Sequence, residues 1–298
     1  MSYETKAYDG RYLPWMPLGA IHYQAIGRYS FCKQFVLNKT VLDCASGEGH
    51  GSFLLSQTAQ KVVGIDIDAE TVEHAKNKYK RDNLEFMQGD CTAIPIPSSE
   101  GGFDIITSLE TLEHIDERQQ LLLLREFSRL IKKDGLLVIS TPNVEYTKGI
   151  PNYDNPYHKK ELTFDEFDAL LSQYFSHRLY FQQSDCFVNF ICSMGSDHGK
   201  YNEVVLKVGG EAYIETDIIE KMPHNIICVA SNEKLQLDLA ASIITDADNT
   251  IMTGMQDWIA ELTKGKEWLE TQYLNYKKLY EDAIRKTLKG IIRKWLRR

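Results

Sequence analysis

The sequence predicts an α/β fold: a doubly wound, mostly parallel seven-stranded sheet, with an insertion before the last strand and a C-terminal helical extension. Three observations carry that expectation. From Thr40 onward, short apolar runs alternate with amphipathic segments, the pattern of βαβ units. A glycine-rich bend, "CASGEGHG", follows the first run, where a strand must turn sharply into a helix. Successive runs also end near an aspartate: Asp43, then Asp66, then Asp90. The 298 residues, 43% of them apolar, suffice for one such domain with additions.

The elements follow in order. "TVLDCA" reads as the first strand and "GHGSFLLSQTA" as its helix; "KVVGIDI" is the second strand, backed by the amphipathic "AETVEHAKNKYK". "NLEFMQGD" is the third strand, and the prolines and glycines of "CTAIPIPSSEGG" make the next stretch a loop. "FDIITSL" is the fourth strand. "ERQQLLLLREFSRLIKKDG" predicts a helix with a basic last turn and a glycine stop, leading to a fifth strand, "LLVISTPN". Thr163 and Glu166 form a capping-box pair opening the helix "LTFDEFDALLSQYF". "HRLYFQQ" and "NIICVASN" complete the sheet.

These elements divide the chain into an N-terminal helical cap (1–39), a main domain (40–235) and a C-terminal amphipathic helical extension (250–298). Residues 184–223, too long for an ordinary connection, read as an insertion shaping a substrate site. In the extension Leu262, Leu269, Tyr276 and Ala283 repeat every seven residues, which suits a homo-oligomer seam. Its end, "RKTLKGIIRKWLRR", interleaves cations with Leu288, Ile291, Ile292, Trp295 and Leu296, the profile of a peripheral helix on anionic lipid. A solvated helix with an incidental basic end reads equally well.

A net charge of −8 argues against nucleic acid as a partner. Six scattered cysteines without a CxxC pair suit reduced thiols, and no secretory or membrane-spanning segment is read, so a cytoplasmic setting is expected.

Gly47, Gly49 and Gly51 alternate behind Asp43, unlike the Gly-x-Gly-x-x-Gly of dinucleotide sites. Asp43 and Glu48 beside the turn would repel a pyrophosphate and attract a ligand carrying an ammonium and a sulfonium. Asp66, about 20 residues on at the second strand's tip, suits ribose hydroxyls. Asp90 stands where it meets an adenine amino group.

These motifs together resemble the class I S-adenosylmethionine-dependent methyltransferases, a Rossmann-like family. "VLDCASGEGHG" is similar to their first motif, with Ala45 in place of the usual first glycine. "VVGIDID", "GDCTAIP", "FDIITSLETLEHI" and "LLREFSRLIKKDGLLVISTPN" follow in the family's order. The likeness covers roughly residues 10–232 and is nearest a bacterial subgroup associated with surface-polysaccharide and other glycan biosynthesis. That subgroup's "RYLPW…H…RY" and "NPYHKKELTFDEF" elements are Arg11 to Trp15, His22, Arg28 with Tyr29, and Asn155 to Phe167 here. The resemblance implies S-adenosyl-L-methionine as cofactor. Asp43, Ala45, Gly47 and Gly49 would face its methionine part and Asp66 with Ile67 its ribose. Asp90 and Cys91 would meet its adenine, Ser108 would line the pocket, and Arg28 would pair with its carboxylate.

Transfer of a methyl group to a hydroxyl needs a base, because the hydroxyl's own pKa lies far above neutrality. His114 and His158 are the candidates, with Glu113 and Glu110 placed to orient a histidine or the acceptor. Each histidine could equally serve only structure. The spacing of Glu113, His114 and His158 is not that of a metal site, so none is assigned. The implied function is O-methylation of a sugar or glycan intermediate. The alternatives are transfer to a small phenolic, quinone-like or amine metabolite, and a non-catalytic assembly protein retaining the fold. A nicotinamide-dependent dehydrogenase fits poorly, because it lacks the dinucleotide glycine pattern.

Overall fold

The computed structural model describes residues 20–97, 102–151, 153–185, 205–209, 212–216, 223–235 and 260–278. All seven expected strands form, in one sheet: β1 (Thr40–Cys44), β2 (Lys61–Asp66), β3 (Leu84–Gln88), β4 (Phe103–Leu109), β5 (Ile131–Pro142), β6 (His177–Gln183) and, last in the chain, β9 (Asn225–Ser231). A separate hairpin of β7 (Val205–Gly209) and β8 (Ala212–Thr216) occupies part of the expected insertion. The sheet order is β3-β2-β1-β4-β5-β9-β6, parallel except for β9, which runs antiparallel to both its neighbours.

Strand alternation sorts the core into two layers. Leu42, Ile106 and Leu137 stand opposite one another across β1, β4 and β5 and join Leu123, Leu124, Phe127 of α4 (Glu117–Leu130) and Phe167 and Leu171 of α6 (Phe164–Ser172). On the other face Val41, Val62, Ile105 and Val138 meet Tyr29 and Phe31 of α1 (Ala20–Cys32), Leu55 of α2 (His50–Leu55) and Val72 and Ala75 of α3 (Ala69–Lys78). Helices thus cover both faces. Each fully buried Leu, Ile or Phe side chain contributes about 1.5–3 kcal/mol.

The capping box at Thr163 and Glu166 forms as read from the sequence, and a second one joins Asp116 and Gln119 at the start of α4. One boundary differs. The helix predicted over residues 117–135 stops at Leu130, and β5 begins at once with Ile131. Phe103 pairs with Ile131 across a bulge, and Lys132 Nζ sits 2.9 Å from Asp104 Oδ1. The lysines therefore anchor a strand start rather than a helix end. Gly135 is required because a Cβ there would lie 3.0 Å from the Asp104 carbonyl oxygen.

Helix 260–278 belongs to a second compact unit. Of its expected seam, Leu262, Leu269 and Tyr276 are exposed, while Ala283 and the basic terminal segment lie outside the described residues. No described helix is long and apolar enough to cross a membrane.

Candidate active site

Strand order reverses between β1 and β4, so the crevice of this sheet opens at their carboxyl ends. The bend after β1 borders it. Ala45 takes φ +60°, Gly47 φ +56° and Gly49 φ +94°, three left-handed turns within five residues. Gly47 would have open space around a Cβ, as a wall that a ligand approaches does. The other two glycines serve protein packing. A Cβ on Gly49 would strike the Phe86 ring at 2.7 Å, and one on Gly51 the Tyr29 ring at 1.9 Å.

Two carboxylates expected beside the ligand, Asp43 and Glu48, lie buried among protein donors. Asp43 is fully buried and accepts hydrogen bonds from Ser52 Oγ at 2.6 Å, Thr107 Oγ1 at 2.7 Å and the Tyr29 hydroxyl at 3.3 Å. It clamps α1, α2 and β4 beneath the bend. Burial pushes its carboxyl above the usual range, and the hydroxyls oppose that rise. Glu48, also buried, turns away toward α3. There Tyr79 donates to it at 3.0 Å, Lys78 lies 3.5 Å off, and His50 Nδ1 is 3.0 Å from Oε1. Each acid is thus engaged by protein donors on several sides.

Other predicted residues do border the crevice. Asp66 ends β2 and accepts from the Gly47 and Asp68 amides, both at 3.0 Å. A carboxylate offers about four acceptor positions, a chemistry that hydroxyl donors match. Ile67 beside it is 66% exposed, a flat apolar surface at the cleft edge. Asp90 is exposed and accepts from the amide and hydroxyl of Thr92 at 2.8 and 2.7 Å. Cys91 Sγ lies 2.6 Å from Cys44 Sγ, joining the loop after β3 to the tip of β1. Ser108 is fully buried and its hydroxyl has no partner among the described residues; the same holds for Ser46 Oγ in the bend. Arg28 is buried rather than on the surface, and its described hydrogen-bond partner is the neutral side chain of Gln183 at 2.8 Å. A buried guanidinium held by a neutral group favours an anionic ligand. Of the N-terminal element, Arg11 to Trp15 lie outside the described residues.

The chemistry-bearing cluster sits at the tips of β4 and β5. Glu110, at φ +54°, is committed to structure: Ser140 Oγ donates to it at 2.6 Å and Asn225 Nδ2 donates to its other oxygen. The 3-10 turn Leu112–His114 follows. Its Glu113 carbonyl accepts from the amides of Lys159 and Lys160, at 2.6 and 3.2 Å, which ties the loop after β5 to the end of β4. That tie brings the rings of His114 and His158 to 5.1 Å, nearly perpendicular. His114 Nδ1 lies 3.0 Å from the Tyr157 carbonyl, and His158 Nδ1 lies 2.5 Å from Glu161 Oε1. Glu161 also accepts from Thr147 Oγ1 at 2.5 Å and from the Tyr153 hydroxyl at 2.9 Å. Glu113 is 1% exposed, and its Oε2 has no partner among the described residues. Burial and the nearby Glu110 push its carboxyl well above the ordinary range, against the pull of Arg28.

Sequence reasoning missed one feature here and set another aside. Glu161 is the hub that orients His158, and its only signal was the His-x-x-Glu spacing in "HKKE". Glu113, His114 and His158 also assemble into one set of potential metal ligands, with an atom from each within 4.8 Å of the others. Their spacing hid this because the third member arrives on a different loop.

Known proteins identify the family. A family model described as a methyltransferase domain matches residues 36–197, more than half of the sequence. The chain belongs to that family. S-adenosylmethionine is the methyl donor of such domains; the buried arginine suits its carboxylate, and the open glycine wall and the Ser46 and Ser108 hydroxyls, without a partner among the described residues, suit its polar groups. A probable S-adenosylmethionine-dependent methyltransferase of Mycobacterium tuberculosis is 33% identical over 134 residues, 45% of this chain and 47% of that protein. A ubiquinone biosynthesis O-methyltransferase of Coxiella burnetii is 32% identical over 143 residues, 42% of this chain and 60% of that protein. The chain thus spans about half the length of the curated relatives it matches. Among solved structures, the PH0226 protein of Pyrococcus horikoshii shares the fold with a TM-score of 0.51 at 16% identity, covering 74% of this chain and 96% of that one.

Proposed function

We propose that this protein is an S-adenosylmethionine-dependent O-methyltransferase whose acceptor is a hydroxyl of a sugar or glycan intermediate. One observation carries the reading: His114 and His158, each oriented through Nδ1 by an oxygen, converge at the carboxyl tips of β4 and β5 beside the cofactor crevice. Methyl transfer from a sulfonium is an in-line displacement, in which the protein aligns a nucleophile and handles its proton. In this reading Arg28 holds the cofactor carboxylate, Asp66 its ribose, and Asp90 with Cys91 the adenine edge. Ser46 and Ser108 donate to its remaining polar atoms, while the histidine pair takes charge of the acceptor hydroxyl. The sugar acceptor is supported by the elements around Arg28 and Asn155 to Phe167 that resemble glycan-pathway methyltransferases. The basic C-terminal segment, with its interleaved apolar residues, supports a cytoplasmic enzyme resting on an anionic membrane face.

A second acceptor class, phenolic or quinone-like, is favoured by the likeness to the ubiquinone biosynthesis O-methyltransferase. Labelled S-adenosylmethionine offered with sugar nucleotides, glycan extracts and phenolic acceptors separates the two. Label should pass to a sugar hydroxyl, and His158→Ala should lower turnover at least tenfold while cofactor affinity stays unchanged. Transfer confined to phenols would replace the sugar reading. Undiminished turnover in both His158→Ala and His114→Ala would remove the histidine pair from the chemistry.

A further inference from the structure

We infer that Glu113, His114 and His158 form a binding site for one first-row divalent transition-metal ion, which receives the acceptor hydroxyl. This deepens the O-methyltransferase reading and rests on it for the ion's role, though not for its binding.

The Tyr157 carbonyl can only accept, so His114 Nδ1, 3.0 Å away, carries the proton and Nε2 presents a lone pair. Glu161 fixes His158 the same way: its carboxylate oxygen, 2.5 Å from Nδ1, takes the proton on that side. An imidazole whose far nitrogen donates to a carbonyl or carboxylate is the usual arrangement of a metal ligand, because the outer partner sets the tautomer and raises basicity. Glu161 is itself held by Thr147 and Tyr153, so the orientation of His158 is not left to chance.

The third member is Glu113, whose Oε1 stands 3.9 Å from His114 Nε2 and whose buried Oε2 lacks a partner among the described residues. One potential ligand atom from each of the three side chains therefore lies within 4.8 Å of the others. Ligands at about 2.1 Å from a tetrahedral ion stand about 3–4 Å apart, so small side-chain rotations close the set. The backbone is already fixed for this purpose. The Glu113 carbonyl bonds to the amides of Lys159 and Lys160 couple the two ligand-bearing loops. Glu110 stays out of the set because Ser140 and Asn225 occupy it.

Two imidazoles and one carboxylate select zinc, manganese, iron or cobalt over magnesium or calcium, which prefer all-oxygen sets. Three protein ligands leave a position open, and the side chains of His114 and His158 are 34% and 13% exposed, so the open side can be reached from solvent. An acceptor hydroxyl bound there has its pKa lowered by the ion and gives its proton to water. The oxygen then attacks the methyl carbon. The new C–O bond forms as the C–S bond breaks, and the C–S electron pair stays on sulfur, leaving S-adenosylhomocysteine.

The test is Mn2+ binding to the chelator-stripped full chain, followed by loss of the free-ion paramagnetic resonance signal. One saturable site is expected, displaced by Zn2+ and resistant to a tenfold excess of Mg2+. His158→Ala and Glu113→Gln should each weaken Mn2+ binding at least tenfold, and Glu161→Gln should weaken it measurably through His158. Affinity for S-adenosylhomocysteine should change less than twofold in each, which also reports that the variants fold. Absence of a saturable site in the unmodified protein overturns the inference, whatever the variants do. Binding unchanged in both ligand variants overturns it too. Methyl transfer that persists after stripping, with no Mn2+ bound, removes the ion while sparing the O-methyltransferase reading. Mn2+ bound as described without transfer to any acceptor keeps the ion and removes that reading.

Discussion

Ala45 holds a left-handed backbone at φ +60° where a glycine would do so without strain. A side chain there costs about 1–2 kcal/mol, partly offset by the greater chain entropy that glycine loses on folding. Ala45→Gly should therefore raise unfolding stability by up to about 1 kcal/mol in urea titration; a lower midpoint would show that the alanine methyl makes packing contacts worth more than the strain. Residue identities in this bend were legible from sequence, but side-chain directions were not. Asp43 and Glu48 stand beside the glycines in the chain, and an electrostatic argument assigned both to a cationic ligand. In three dimensions Ser52, Thr107 and Tyr29 enclose the first, while His50, Lys78 and Tyr79 enclose the second. Those donors come from α1, α2, α3 and β4, and nothing in the local pattern announced them. Arg28 shows the reverse. Arginines are mostly exposed, yet this one is buried beside Gln183.

At the scale of elements, the misplaced helix end marks a linchpin of the sheet. Asp104 at the start of β4 accepts from the Thr40 amide at 2.8 Å and hydroxyl at 2.7 Å and pairs with Lys132 of β5. It thus fastens the starts of three adjacent strands. Partial burial alone would raise its pKa, but the Thr40 bonds and Lys132 outweigh that and bring it to about 2, below the ordinary 3.8. The sign follows from linkage. A carboxyl with a depressed folded-state pKa adds stability above its ordinary pKa and loses it as pH falls toward the folded value. Between pH 4 and 2 the protein should lose about 1–2 kcal/mol from this group, after discounting for solvent screening. Denaturant midpoints of Asp104→Asn should be lower at neutral pH and flatter across that window; parallel pH curves for the two proteins would reject this role. The strands and the capped start of α6 were readable because alternation and caps are local signals. The end of α4 was not, because "IKKDG" is basic and glycine-terminated, a good helix stop by local rules. Its pairing with Phe103 overrides those rules.

For the whole molecule, the doubly wound architecture was the most legible property, since it rests on summed periodicity rather than on any one residue. The reversal of strand order between β1 and β4 then dictates where a ligand lies, and the first two motifs fall at that crevice. The acceptor side was less legible. Glu113 and His114 follow β4, whereas His158 and Glu161 arrive on the loop after β5, and only the Lys159 and Lys160 amides on the Glu113 carbonyl unite them. A convergence built from two loops leaves no spacing rule in the sequence.

The central claim is that the glycine-lined tip of β1 and the acidic tip of β2 hold an adenosyl cofactor. Calorimetric titration of the folded protein with S-adenosylhomocysteine tests it most directly. A single saturable site is predicted, weakened more than tenfold in Asp66→Ala with folding intact. No heat from the unmodified protein, or equal affinity in Asp66→Ala, would contradict it.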